Sequence, residues 1–203
     1  NLKHAVVTAV GDDSFDWTDG WVGKAQFVVL EHYAGNGGDN GIEADNNGDN
    51  NAATPRSQPT LSNLTIIGTT DHDIGMLLRE GTGANIHNTL VTGYGDACID
   101  IDHDETYANA WSGSDFSGNL SIDKSSIDCD VDFVDEDDGT QPFTIADWFD
   151  NGDNASESFT LSGWVASGAS AGDSPSDSWF DSASYRGAID PSGTDWTSGW
   201  TTN

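Results

Sequence analysis

The chain has 203 residues, of which 35 are acidic and 6 are basic, so its formal net charge is −29. This charge excludes binding to nucleic acid through phosphate contacts, and it excludes unaided adhesion to anionic lipid. The hydrophobic fraction of 35 % is low for a globular domain, but eight Trp and eight Phe residues indicate a folded chain, because aromatic side chains bury large areas. No stretch approaches the roughly 20 apolar residues of a membrane span.

Short β-rich segments, each closed by a turn signal, recur along the first half of the chain. They read LKHAVVT (2–8), AQFVVL (25–30), LSNLTIIG (61–68) and IHNTLVTG (86–93). The steps from Ala5 to Phe27 and from Leu64 to Thr89 each suit one coil of a parallel β-helix. The longer step from Phe27 to Leu64 is explained by a polar loop over residues 46–59, inserted into one coil.

A second pattern follows each of these segments. It reads GDDSFDWT (11–18), GDNGIEAD (38–45), HDIGMLLR (72–79) and GDACIDID (95–102). Apolar and polar residues alternate in it, which predicts a strand with one buried face. Repeats at this period indicate stacked units, each burying its apolar face against the next.

The repeats therefore predict an all-β fold, a parallel β-helix with long acidic loops, forming a single domain over residues 1–203. Its repeat coils cover about residues 1–135, and a last coil with an aromatic-rich cap covers about residues 140–203. The aromatic residues of this end are expected to fold over the last coil as a plug, or to stack on sugar rings: Trp164, Trp179, Phe180, Tyr185, Trp196 and Trp200.

Stacking the second pattern in register places acidic residues in rows along the helix axis, about 4.8 Å apart. The first row holds Asp12, Asp39, Asp73 and Asp96. The second row holds Asp16, Glu43 and Asp100, with Leu77 between the last two. The third row holds Thr18, Asp45, Arg79 and Asp102, and here Arg79 is expected to form salt bridges with its acidic neighbours.

Like charges facing each other destabilise a sheet, so these carboxylate rows need an explanation. Bound Ca²⁺ is one, because carboxylate and carbonyl oxygens are its preferred ligands. The predicted calcium ligands are Asp12, Asp13, Asp16, Asp39, Glu43, Asp45, Asp96, Asp100, Asp102 and Asp104, and a further acidic cluster lies at residues 130–138. The alternative is an acidic, solvated surface that keeps the protein soluble without a ligand. Two Asp-His-Asp triplets, around His72 and His103, leave a transition-metal site as a third reading.

The two cysteines, Cys98 and Cys129, lie about one coil apart in the sequence. Residues one coil apart are neighbours in a stack, so the spacing predicts a disulfide between adjacent coils, with two buried free thiols as the alternative. A structural disulfide favours an exported protein.

Four segments carry a family resemblance: GDDSFDWTDGW, GIEADNN, TPRSQPTLSNLTIIG and GTDWTSGW. They resemble a family of secreted or lipid-anchored bacterial right-handed parallel β-helix proteins of undefined activity. The resemblance implies the β-helix fold and a secreted or cell-surface location, and it implies no catalytic residues. Members of that family carry further coils at the amino end, so the chain is expected to be the C-terminal part of a longer precursor.

Two functions remain open at this point. The favoured one is an exported, non-catalytic scaffold whose Asp-rich turns are stiffened by Ca²⁺, and whose uncovered first coil stacks on another copy or on a capping segment. The alternative is a carbohydrate-active β-helix that binds or cleaves an extracellular polysaccharide, because acid-lined grooves of β-helices host such chemistry.

Overall fold

A computed structural model describes residues 1–135 and 140–201, and most of its regular structure is β-strand. The strands are β1 (Leu2–Thr8), β2 (Phe15–Trp17), β3 (Lys24–Glu31), β4 (Ile42–Ala44), β5 (Thr60–Ile67), β6 (Ile74–Leu78), β7 (Ala84–His87), β8 (Leu90–Thr92), β9 (Ala97–Ile101), β10 (Leu120–Asp123), β11 (Ser126–Asp128), β12 (Phe133–Val134), β13 (Ala155–Ser156), β14 (Thr160–Ser162) and β15 (Val165–Ser167). Two short helices are α1 (Asp104–Ala110) and α2 (Ile145–Asp150). Neither helix has the length and apolar character that crossing a bilayer requires.

Two parallel sheets run along the stack. The larger sheet joins β1, β3 and β5, then β7 and β8, then β10 and β11, and finally β13. The smaller sheet has the order β12-β9-β6-β4-β2. Each of the first five coils contributes to both sheets, which confirms the all-β parallel β-helix. The coils are β1–β2, β3–β4, β5–β6, β7–β9 and β10–β12, and residues 46–59 connect the second coil to the third without a helix or strand.

The larger sheet bends at one position in every coil, where a residue adopts a left-handed backbone conformation. These corner residues are His4, Phe27, Asn63, Asn88, Lys124 and Asp153, with φ between 50° and 58°. The bend divides the sheet into two faces, and it separates β7 from β8 and β10 from β11. Ala5 pairs with Val28. The sequence pattern places Phe27 opposite Ala5, so the predicted register is off by one residue. The prediction slipped because these strands are almost continuously apolar, so no alternation marks their register.

The core lies between the sheets, and its two ends differ. At the last coil, α2 buries Trp148 against β10, and the Trp148 indole Nε1 donates to the Leu120 carbonyl at 3.1 Å. At the first coil, β1 and β2 each pair with one strand among those described. Phe15 and Trp21 of that coil remain partly exposed while packing on the core. Among the described residues, β1 and β2 are therefore edge strands of their sheets, while α2 packs on the last coil.

A disulfide joins Cys98 of β9 to Cys129, with the two Cα atoms 5.7 Å apart. The disulfide prediction is thus confirmed, and the alternative of two free thiols is wrong. The bond links the fourth coil to the fifth.

The C-terminal strap, residues 171–201, runs along the side of the β-helix over the row of corner residues. The Asn88 side chain donates to the Asp173 carbonyl at 2.8 Å and accepts from the Asp173 amide at 2.9 Å. One coil earlier, the Asn63 side chain donates to the Tyr185 carbonyl at 3.0 Å. Side chains of the corners therefore satisfy backbone groups of a segment that has little regular structure of its own.

The predicted aromatic plug over the last coil is wrong. Trp196 contacts His4 of the first coil, with ring centroids 5.0 Å apart, and Trp164 donates to Glu31 of the second coil at 2.8 Å. The physical reason is an apolar stripe on the outside of the larger sheet, formed by Val6 and Val29, which these indoles cover. The end of the last coil is covered by α2 instead.

Candidate functional site

The outer face of the five-stranded sheet carries the acidic rows in the predicted register. Asp16 pairs with Glu43, Glu43 with Leu77, Leu77 with Asp100, and Asp100 with Val134. Neighbouring strands lie about 4.8 Å apart, so this row presents one outward side chain at each coil. The alternate residues, such as Ile42 and Ala44, point into the core.

These rows line an acidic groove of about 510 Å³ that extends over β4, β6, β9 and β12. Its acidic residues are Asp39, Glu43, Asp73, Asp96, Asp100 and Asp102. Its apolar residues are Ile74, Leu77 and Val134. The groove therefore combines a row of oxygen acceptors with a narrow apolar floor.

Arg79 is the basic residue of the acidic groove, and its guanidinium is held by two carboxylates. Its Nη2 lies 2.6 Å from Glu43 Oε1, and its Nε donates to Asp45 Oδ1 at 2.9 Å. The predicted salt bridge to Asp45 is present in the structure. Six acidic residues and this one cation line the groove, so its lining carries a net negative charge.

The Glu43 carboxyl of the groove has a strongly raised pKa. Its pKa is raised from 4.5 to about 7, chiefly by burial and then by the negative charge of Asp13, against the opposing effect of Arg79. Burial also raises the pKa of Asp16 and of Asp39, and the Asp73 carboxyl beside Asp39 adds to the second shift. Mutual repulsion and partial desolvation therefore disfavour full ionisation of this surface.

The raised pKa of Glu43 makes folding stability depend on pH. The folded state holds this proton more tightly than the unfolded state, so the contribution is fully present below pH 4.5 and is lost as the pH rises through about 7. We expect the melting temperature of the wild type to fall from about pH 5 to pH 8 relative to that of Glu43→Gln, which lacks the titrating group. Thermal unfolding by circular dichroism at several pH values measures the difference.

Two histidines change the pH dependence of stability in the opposite direction, and comparing the wild type with Glu43→Gln removes their effect. Burial lowers the pKa of His32 and of His87, so their contributions to stability decrease as the pH falls through 6.5. Both histidines are present in the wild type and in Glu43→Gln, so they cancel in the difference. Parallel pH profiles for the two proteins would contradict the assignment to Glu43.

A tighter acidic group lies beside the first-coil end of the groove. One oxygen from each of Asp12, Asp13 and Asp39 falls within 4.8 Å of the others. Asp13 Oδ1 also accepts from the backbone and side-chain nitrogens of Asn40, both at 2.9 Å. Among the residues that the structure describes, this is the one group of three acidic, histidine or cysteine side chains with such spacing.

The ten predicted calcium ligands therefore fall in different places. Asp12, Asp13 and Asp39 form the tight group, and Asp39 also lines the groove with Glu43, Asp96, Asp100 and Asp102. Asp16 extends the second row on β2, and Asp45 is bound to Arg79. Asp104 lies in the first turn of α1 and lines a separate cavity with Trp111, so the structure does not bring it into the groove.

Asp73 and the apolar floor were not among the predicted site residues. Asp73 aligns with Asp39 and Asp96 in the first row, so the signal was present, and its amide donates to the Asp39 carbonyl at 3.3 Å. Val134 had no signal, because β12 is two residues long and lies outside the repeat pattern. Of the acidic cluster at 130–138, residues 136–138 lie outside the described residues.

The transition-metal reading gains no support at His72. Its Nδ1 is hydrogen bonded to Thr69 Oγ1 at 3.0 Å, and its Nε2 is hydrogen bonded to Asn36 Oδ1 at 2.8 Å. The ring is buried and stacks on His32, with centroids 4.5 Å apart. Both ring nitrogens are thus occupied in holding a turn.

Comparison with protein families gives one match. The model described as a pectate-lyase-like β-helix domain matches residues 1–201, which is almost the whole chain. No curated protein and no solved structure gives a significant match.

Proposed function

Because the chain belongs to the family of pectate-lyase-like β-helix domains, we propose that it binds an extracellular polysaccharide along the acidic groove. The observation that carries this proposal is the groove itself, about 510 Å³ in volume and continuous over four neighbouring strands. A groove that follows the axis of the stack suits a linear polymer better than a compact ligand.

The lining of the groove supports the same proposal. Carboxylates such as Asp73 and Asp96 accept hydrogen bonds from sugar hydroxyls. Leu77 and Val134 offer apolar surface to the C–H faces of the rings, and Val134 is 39 % exposed.

Cleavage of the bound polysaccharide is a second candidate, favoured by Glu43. A carboxylic acid with a pKa of about 7 suits a proton donor to a glycosidic oxygen at neutral pH. Two strand spacings separate Glu43 from Asp100, or roughly 10 Å between backbones. That is close to the upper limit of carboxyl separations in inverting glycosidases.

Calcium binding at Asp12, Asp13 and Asp39 forms part of the proposal, because three converging carboxylates provide the oxygen ligands that Ca²⁺ prefers. Melting temperatures with a chelator and with 1 mM Ca²⁺ test it. A site with a Kd of about 0.1 mM adds about 1.4 kcal/mol at that concentration. We expect the shift to disappear in Asp12→Asn/Asp13→Asn, and an equal shift in that variant would contradict the site.

Export and self-association complete the proposal. The Cys98–Cys129 disulfide supports a secreted or cell-surface location, since such bonds persist in oxidising compartments. The open edges of β1 and β2 support stacking against another copy or against a capping segment.

Retention on immobilised polysaccharides tests the main proposal. The panel contains neutral, uronate and amino-sugar polymers, each with chelator and with Ca²⁺. We expect retention on at least one polymer, weakened at least about tenfold in Glu43→Gln/Asp100→Asn. The matched control, Asp49→Asn/Asp150→Asn, removes two acids that are exposed and lie outside the groove. Equal retention of both variants, or no retention of the wild type, would exclude the groove as the binding site.

A further inference from the structure

We propose that Asn119 is a site of N-linked glycosylation, with an oligosaccharide attached to its side-chain nitrogen. The inference rests on the export of the chain in the proposed function, because this modification is made on exported proteins. It is independent of the polysaccharide in the groove, since this glycan is a covalent part of the protein.

The sequence offers three acceptor motifs of the form Asn-x-Ser/Thr, in which x is not proline. They are Asn63-Leu64-Thr65, Asn119-Leu120-Ser121 and Asn154-Ala155-Ser156. Such a motif is short, so its presence alone does not identify a modified residue. The deciding property is the side-chain nitrogen, which has to be reachable and must give up one of its two hydrogens.

The Asn63 side chain cannot carry a glycan in the folded protein. It is 0 % exposed, and its Nδ2 donates to the Tyr185 carbonyl at 3.0 Å and to the Gly187 carbonyl at 3.2 Å. A sugar on this nitrogen would remove one of these donors and would separate the strap from the sheet. The fold therefore excludes the first motif.

The Asn154 side chain is excluded in the same way. Its Nδ2 donates to the Ile122 carbonyl at 3.0 Å and to the Phe149 carbonyl at 2.6 Å. Its Oδ1 accepts from the Ser125 amide at 2.7 Å. Both hydrogens of the nitrogen are thus engaged, and glycosylation would break a hydrogen bond that joins the fifth coil to the segment after α2.

Asn119 differs in exposure and in its contacts. Its side chain is exposed, and the hydrogen bond it makes is through Oδ1, which accepts from Gln58 Nε2 at 3.3 Å. Within the described part of the chain its Nδ2 donates to no acceptor. Its amide donates to the Asn109 carbonyl at 2.5 Å and its carbonyl accepts from the Ala84 amide at 2.9 Å, so the backbone there is fixed. Residues 112–115 are exposed as well, which leaves space for a bulky group.

The modification uses a lipid-linked oligosaccharide as co-reactant, and a transferase that acts on exported chains makes it. A bond forms between Asn119 Nδ2 and the anomeric carbon of the first sugar. The bond between that carbon and the phosphate oxygen breaks, so the lipid phosphate leaves and Nδ2 loses one proton. Ser121 supplies the hydroxyl that the motif requires at its third position.

Mass spectrometry of the protein purified from the medium or surface of the cells that produce it tests the inference. Trypsin cleaves after Arg79 and Lys124, and the reduced chain gives one motif in each of three peptides, residues 57–79, 80–124 and 125–186. We expect added mass on the peptide of residues 80–124 alone, and fragmentation should locate this mass on Asn119.

Variants of the motif separate the acceptor from its surroundings. We expect complete loss of the added mass in Asn119→Gln and in Ser121→Ala, which keeps the acceptor but removes the hydroxyl. Ser121→Thr restores the hydroxyl and should restore the glycan. The matched control, Ser117→Ala, removes an exposed serine outside the motif and should keep the glycan. Unfolding curves for each variant exclude misfolding as the cause of a loss.

The outcomes separate this inference from the proposed function. Exported protein whose peptide of residues 80–124 carries no glycan overturns the inference and leaves the proposed function standing. A glycan on either of the other two peptides, or one retained in Ser121→Ala, also overturns it. Protein found only inside the cells overturns both the inference and the proposed export.

Discussion

We expect Arg186→Met to lower the free energy of unfolding by about 3 kcal/mol. The Arg186 side chain is buried, and its guanidinium donates to four groups. Nη1 binds the Ser125 carbonyl at 2.5 Å and Ser126 Oγ at 2.9 Å, Nη2 binds the Asp153 carbonyl at 2.9 Å, and Nε binds the Ala171 carbonyl at 3.1 Å. Methionine fills similar space but leaves these buried acceptors without donors.

Chemical denaturation followed by circular dichroism measures this loss. Arg186→Lys is the matched control: it keeps the positive charge, but one ammonium group cannot reach acceptors on three segments, so we expect an intermediate loss. Limited proteolysis adds a local readout, because the strap should be cleaved earlier in Arg186→Met than in the wild type. A loss below about 1 kcal/mol in Arg186→Met would show that the strap is held by its other contacts.

Removal of the disulfide is expected to have an effect of similar size. The bond closes a loop between residues 31 positions apart, so Cys98→Ala/Cys129→Ala should lower the free energy of unfolding by about 3–4 kcal/mol. Alanine is preferred to serine because Cys98 is fully buried and a hydroxyl there would need a partner. For a chain of this length the melting temperature should fall by roughly 6–16 °C.

Thermal unfolding of the oxidised wild type, the reduced wild type and the double variant measures this effect. The reduced wild type should melt close to the double variant, since both lack the cross-link and keep the same coils. A double variant that melts with the oxidised wild type would mean that the fourth and fifth coils are held together without the bond.

The five-stranded sheet could be predicted because the sequence pattern of its repeats fixes which residues of neighbouring strands pair. Three of the four copies alternate apolar and polar residues, with Leu77 the exception in the third, and the turn ahead of each copy marks its start. Shifting Asp16 by one residue would therefore bury it. The same alternation predicted that Glu43 and Asp100 face outward in one row, and both line the groove. The extent of the groove was not predictable, because Val134 lies outside any repeat and Asp104 begins a helix that leaves the stack.

The strap was not predictable for a different reason. Its attachment depends on single side chains at the corners, such as Asn63 and Asn88, which read in the sequence as interruptions of a strand. Asparagine tolerates a left-handed conformation, but Phe27 and Lys124 adopt it as well and carry no such signal. Contacts between residues 85 and 122 positions apart leave no local pattern to recognise.

The strap has a consequence for cooperativity. Stacked repeats ordinarily contact only their neighbours, so an end repeat can fray while the others stay folded. Here one segment contacts His4 in the first coil and, through Arg186, Ser125 in the fifth. Opening the first coil therefore disturbs a segment that also holds the far end. The edge strand β1 should therefore unfold together with the rest of the β-helix. Amide hydrogen exchange in β1 should then report the free energy of global unfolding.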